Sequence, residues 1–252
     1  MLAAPAEARV RPEVTRRIAR GAGELLLTVG FVLLLFVFYE VDVTDWTSGS
    51  QQHALSSRLE QQWAAPRPST PSEAASPLPG NGIAFLHIPR LGADYRRAVV
   101  EGTTQADLAQ GPGHYTGTAL PGERGNLAIA GHRVGKGSPF LDLDLMRPGD
   151  AIVVETRDEW FVYRVLGDPR TGDLHAETSG IPGMEIVAPT DVAVIAPTPD
   201  HAESSPSGRY LTLTTCNPKF SARQRLVIHA ELQGSPIAKA DEPAGPPALR
   251  GR

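Results

Sequence analysis

Cysteine is nearly absent from this chain: its 252 residues hold one, Cys216. An internal disulfide is therefore excluded, and the thiol is left for packing, an intermolecular bridge or reactivity. Aromatic residues are also scarce at 6%, whereas Gly and Pro number 25 and 23. That balance suits a loop-rich β domain flanked by low-complexity segments. A basic excess is missing too. The net charge is −4, and only Arg9, Arg11, Arg16, Arg17 and Arg20 form a positive cluster, which argues against a nucleic-acid partner. Strands do not alternate with long helical patterns, so a doubly wound sheet is not expected. No dense carboxylate run of the calcium-loop kind occurs, and neither a metal nor a cofactor is expected.

One long apolar run is present. Leu25 to Tyr39 reads LLLTVGFVLLLFVFY without a charge. A bilayer span needs about 20 mostly apolar residues, and residues 21–41 supply them. The arginines precede this run and Glu40, Asp42 and Asp45 follow it. The positive-inside rule then leaves residues 1–20 in the cytoplasm and the rest of the chain outside, held by membrane lipid around a single anchor. Tyr39 and Trp46 suit the outer interface. No A-x-A-like cleavage site follows, which sets the run apart from a secretory signal.

Residues 42–82 read as a juxtamembrane segment and stalk. Gln51 to Trp63 predicts a short helix, and Ala64 to Gly82 is a Pro- and Ser-rich spacer with little to bury. Residues 234–252 have a similar composition and are expected to be disordered. The 83–233 stretch between them has the size of one domain. Its apolar runs are short: Ile83–Ile88, Tyr95–Val100, Asn126–Ala130, Ala151–Glu155, Trp160–Leu166, Asp191–Ile195, Tyr210–Thr215 and Leu226–Leu232. Only Thr104–Gln110 and Pro139–Met146 look helical. Many strands joined by turn residues predict an all-β fold, a closed or nearly closed barrel.

Cys216 ends the run Tyr210-Leu-Thr-Leu-Thr-Thr-Cys216, just before Asn217-Pro218. Strand alternation puts Leu211 and Leu213 on the core face and Thr212, Thr214 and Cys216 on the other, so the thiol falls on a polar wall. A free thiol needs a base to act at neutral pH. Of seven histidines, His114, His132 and His229 are the best placed, and Gly131-His132-Arg133 at a strand end can present an imidazole at a rim. Arg223 and Arg225 open the next strand, where a guanidinium can supply fixed donors to a developing oxyanion.

The set Leu213-Thr-Thr-Cys216, an arginine nine residues on and the upstream Ala130-Gly-His132-Arg resembles the sortases, membrane-anchored cysteine transpeptidases of Gram-positive bacteria. The apolar anchor and Gly111-Pro-Gly-His-Tyr-Thr-Gly-Thr-Ala-Leu-Pro-Gly122 are similar to actinobacterial class E members. The resemblance implies an eight-stranded closed barrel with short helices behind one transmembrane helix. It implies Cys216 as nucleophile, His132 as general acid and base, and Arg225 as oxyanion or substrate-positioning residue. Tyr115, Thr214 and Thr215 are the implied substrate-binding residues. The implied substrates are sorting-signal peptides of LPxTG or LAxTG type on secreted surface proteins, with a peptidoglycan precursor amine as acceptor. A pilin lysine as acceptor, or a non-catalytic anchored β module, are the competing readings. Gly167 to Ala188 matches no family pattern.

Overall fold

The computed structural model describes residues 12–38, 44–66, 77–176 and 180–250. They fall into two compact units, divided at Val43 and Thr44. The first holds helix α1 (Pro12–Phe38). Its window Arg16–Phe36 is long and apolar enough to cross a membrane, and none of that window is buried inside the protein. Glu24, the one acid within it, is paired with Arg20 one turn earlier at 3.0 Å, a contact that would offset part of the cost of a carboxylate near hydrocarbon were the helix in a bilayer. The expected end of the anchor at 39–41 lies outside the described residues.

The second unit is a β-barrel. Its strands are β1 (Gly82–His87), β2 (Arg96–Glu101), β3 (Gly113–His114), β4 (Gly125–Ala130), β5 (Ala151–Glu155), β6 (Glu159–Val165), β7 (Met184–Val187), β8 (Arg209–Asn217), β9 (Gln224–Leu232) and β10 (Ile237–Ala238). Eight of them run in the order β6-β5-β1-β2-β3-β4-β8-β9, and pairing of β6 with β9 closes the ring. The closed eight-stranded barrel is thus as expected. Strands β7 and β10 add to it, β7 on β9 and β10 on β6. The interior is filled by apolar side chains that include Leu86, Ile129, Phe140, Ile152, Tyr163, Leu211, Leu213 and Ile228.

Several elements differ from expectation. The juxtamembrane helix is longer, α2 (Thr44–Ala64), and it docks on the barrel instead of standing apart. Leu55 and Leu59 are buried against Phe85, Ala98 and Val100. The Gln52 side chain accepts from Ala98 N at 2.7 Å and donates to Gln110 O at 2.7 Å. Residues 67–76 of the expected spacer lie outside the described residues. The 235–250 segment also lies on the barrel. Its strand β10 pairs with Trp160 and Glu159, Ala248 and Leu249 pack on Ala151, Val153 and Trp160, and Trp160 Nε1 donates to Glu242 O. A large apolar ring with one polar atom gives that Pro- and Gly-rich stretch something to cover. Finally, Asp191–Ile195 is not a strand. Ala193–Ile195 form a 3₁₀ turn after Asp191, whose side chain accepts from Ala193 N, and the strand of this region is β7 instead. The two helical expectations shrink to the four-residue α3 (Gln105–Leu108) and a 3₁₀ turn at Leu143–Leu145.

Candidate active site

Two pairings of β8 build the site. Strand β8 runs antiparallel to β9 with Cys216 directly opposite Arg225. Side chains so placed have Cβ atoms about 5 Å apart. On its other edge β8 runs parallel to β4, with Ala130 aligned to Thr214. Gly131 N then donates to Thr214 O at 3.0 Å and Thr215 Oγ1 donates to Gly131 O at 2.8 Å. The chain leaving β4 is tied down at Gly131, and the next residue is His132. Gly131 is required there because a Cβ would lie 2.4 Å from the Phe140 ring.

His132 is half-buried, and its Nε2 is buried without a hydrogen-bond partner among the described residues. Burial, helped by the charge of Lys136, lowers its pKa below the ordinary histidine value, so the imidazole is held as the neutral base. Cys216 is partly exposed. Arg225 donates to the carbonyls of Ala222 and Gln224 at 3.1 and 3.0 Å, contacts that fix the start of β9 and leave further guanidinium donors for a ligand.

Arg133 was not singled out as a site residue, yet it is 5% exposed and sits under the thiol strand. It donates to Asn217 Oδ1 at 2.7 Å and pairs with Asp144 at 3.0 Å. It therefore clamps the residue after Cys216 to the residue after His132. An arginine immediately following the histidine was the available signal.

The expected substrate residues divide. Thr214 lies on the Cys216 face, almost fully buried, and its hydroxyl meets Tyr115 Oη at 2.9 Å. This contact seats the half-buried Tyr115 ring beside the thiol strand. Thr215, also implied as a substrate residue, is turned away from the wall that carries Thr214 and Cys216. It is on the opposite face, 2% exposed, and its hydroxyl is spent on Gly131. The other histidines are used elsewhere. His114 faces Glu101 at 2.6 Å and Thr118 at 2.9 Å, which braces the loop that carries Tyr115. His229 is wholly buried beside Thr212, so the Thr212 end of the presumed polar wall is covered and not open. A separate cavity of about 950 Å³ bounded by Arg90, Asp150, Arg164 and Arg250 contains neither Cys216 nor His132.

The closed barrel thus brings a lone thiol at a strand exit, a cation across the ladder and a half-buried imidazole on the neighbouring loop to one end of β8. The sortase domain family matches residues 86–233, and the chain belongs to that family. The sortase SrtE1 of Streptomyces coelicolor is 35% identical over 234 residues, which is 90% of this chain and 60% of that protein. This chain thus spans somewhat under two thirds of that relative's length. Among solved structures, the SrtF sortase of Corynebacterium diphtheriae is 40% identical with a TM-score of 0.63, covering 74% of this chain and 100% of that one. Sortase E1 of Streptomyces coelicolor, solved with a tripeptide in the active site, is 31% identical with a TM-score of 0.56, covering 69% and 99%. The class E-like character expected from the sequence agrees with these relatives.

Proposed function

We propose that this protein is a membrane-anchored cysteine transpeptidase that joins secreted surface proteins to a peptidoglycan amine. The observation that carries this reading is the register of β8, which sets Cys216 against Arg225 on one side and beside the Gly131-His132 turn on the other. In the first half-reaction the Cys216 sulfur attacks the Thr carbonyl carbon of an LAxTG- or LPxTG-type signal. The Arg225 guanidinium takes up the charge developing on the carbonyl oxygen. His132 takes the thiol proton as the sulfur attacks; the C–N bond then breaks, and the departing amine receives that proton from His132, leaving a thioacyl enzyme. In the second half-reaction an amine attacks that thioester and His132 takes a proton from it. The thiolate leaves and a new amide bond is formed.

Tyr115, seated by Thr214, packs against the second signal residue, Ala or Pro. The tripeptide held by the Streptomyces coelicolor relative supports a short peptide ligand at this place. Helix α1 is read as the anchor, with the basic N-terminus cytoplasmic and the barrel outside. The test is incubation of the protein with LAxTG and LPxTG peptides, followed by intact-mass measurement. A mass increase equal to the acyl part, absent in Cys216→Ala, is the expected result. Absence of any adduct with both peptides would end this reading.

A further inference from the structure

At the far end of the same β8–β9 face lies a group of side chains that the transpeptidase chemistry does not use. Glu185 of β7, Asp200 of the following connection and His229 of β9 each offer one ligand atom, and these atoms lie within 4.8 Å of one another. They come from three separate segments, which is why no contiguous acidic loop announced them.

The hydrogen-bond network fixes the direction of the imidazole. The Asn126 Nδ2 donates to the carbonyls of Val194 and Ala196, so its Oδ1 faces Thr212 as an acceptor. The Thr212 hydroxyl donates to that oxygen at 2.8 Å. Its lone pairs are then left for His229, whose Nδ1 lies 2.9 Å away, and this requires the proton of His229 on Nδ1. The other ring nitrogen, Nε2, faces Glu185 Oε1 at 2.9 Å, and in the ring without a proton there it offers a lone pair. An acceptor nitrogen facing a carboxylate needs a cation or a proton between them.

The surroundings supply no other cation. Among the described residues no Lys or Arg pairs with Glu185 or Asp200, and Asp191 adds a further negative charge nearby. His229 is 0% exposed, and its outer nitrogen is held by a hydroxyl that is itself held. That pattern is typical of a metal-ligating histidine, whose second ring nitrogen is oriented by a hydrogen-bonded partner.

We infer that Glu185, Asp200 and His229 Nε2 bind one divalent transition ion of the zinc type. A mixed imidazole and carboxylate set favours such an ion over the all-oxygen shell preferred by calcium or magnesium. Three protein ligands leave the fourth position to water. Bond lengths of about 2 Å put tetrahedral ligand atoms roughly 3.3 Å apart, so the imidazole and Glu185, now 2.9 Å apart, would open slightly to admit the ion. The ion joins β7, the connection through Asp200 and β9, and so pins the segment that covers Thr212 and Asn126.

The test uses the full-length chain in detergent on a Cys216→Ala background, which removes the competing thiol. After dialysis against a chelator it is titrated with ZnCl₂ and separately with CaCl₂, by calorimetry and by thermal melting. One zinc equivalent and a raised melting temperature are expected, with calcium binding more weakly. Glu185→Gln and Asp200→Asn keep side-chain size, and each should weaken zinc binding at least about 10-fold while leaving the metal-free protein folded. The inference is overturned by no zinc binding, by calcium binding more tightly than zinc, or by full affinity retained in either variant. None of these readouts depends on transpeptidation.

Discussion

His132 is held as a neutral base by its surroundings, and this has a measurable signature. Burial is the larger cause of its lowered pKa, and the Lys136 charge is the smaller. NMR titration of the imidazole should give a midpoint below about 6.5, and Lys136→Gln should move it upward without reaching the free value. The sign for stability follows from the direction of the shift. The native state resists protonating His132, so its contribution is intact above pH 6.5 and is lost as pH falls through that value toward the folded midpoint. Gly131 makes a second residue-scale prediction. Gly131→Ala forces a Cβ against the Phe140 ring and should lower peptide turnover by at least 10-fold by displacing His132, since small misplacements of a catalytic group are costly. A far-ultraviolet spectrum unchanged from the parent would show that the barrel survives. Arg225→Ala removes the cation opposite Cys216 and should cost roughly 100- to 1000-fold in turnover, read from single-turnover adduct formation.

At the scale of elements, legibility in the sequence followed locality. Alternation over Leu211 to Cys216 depends only on neighbouring residues, and the face assignment of Thr214 and Cys216 could be read from it. Thr215 could not, because its role depends on the parallel partner β4. The Asp191–Ile195 run carries a strand-like pattern, yet Val192 is 70% exposed and no ladder edge receives it, so tertiary context overrode propensity. Strand β7 is short and preceded by Gly183, and only the free part of the β9 edge makes it a strand. Helix α2 was foreseen as a helix but not as a packed one. Its stripe is narrow, and its anchoring group is an amide, Gln52, that completes the edge of β2. Leu55→Ala or Leu59→Ala should destabilise the barrel by about 2–5 kcal/mol, measured by denaturant melts. A negligible change would mean the helix detaches in solution.

For the whole molecule, the segment after Gly234 matters more than its composition suggested. Lys239 donates to Glu155 Oε1 at 2.7 Å, and His87 meets the other oxygen at 2.9 Å. Burial would raise the pKa of Glu155, but the hydrogen bonds of His87 and Lys239 and the charges of Lys239 and Arg96 outweigh it and take it down to about 2. A depressed carboxylate stabilises the fold above its unfolded value near 4.5 and loses that contribution as pH falls toward 2. Lys239→Ala should shrink this acid-dependent part of the stability, seen as a flatter dependence of melting temperature on pH between about 4.5 and 2. Truncation after Gly234 should in addition uncover Trp160, red-shift its fluorescence and lower the melting temperature by several degrees.

The parallel pairing of β4 with β8 also bears on when the protein becomes reactive. Gly131 and Thr215, the residues that tie the histidine turn to the thiol strand, are 84 positions apart in the chain. Contacts of such long range form late, because the loop they close must be ordered before they repay its entropy. During folding, Cys216 is therefore present before the contacts that bring the His132 turn beside it have formed. On the proposed reading, the thiol would accept an acyl group only once the barrel has closed around it.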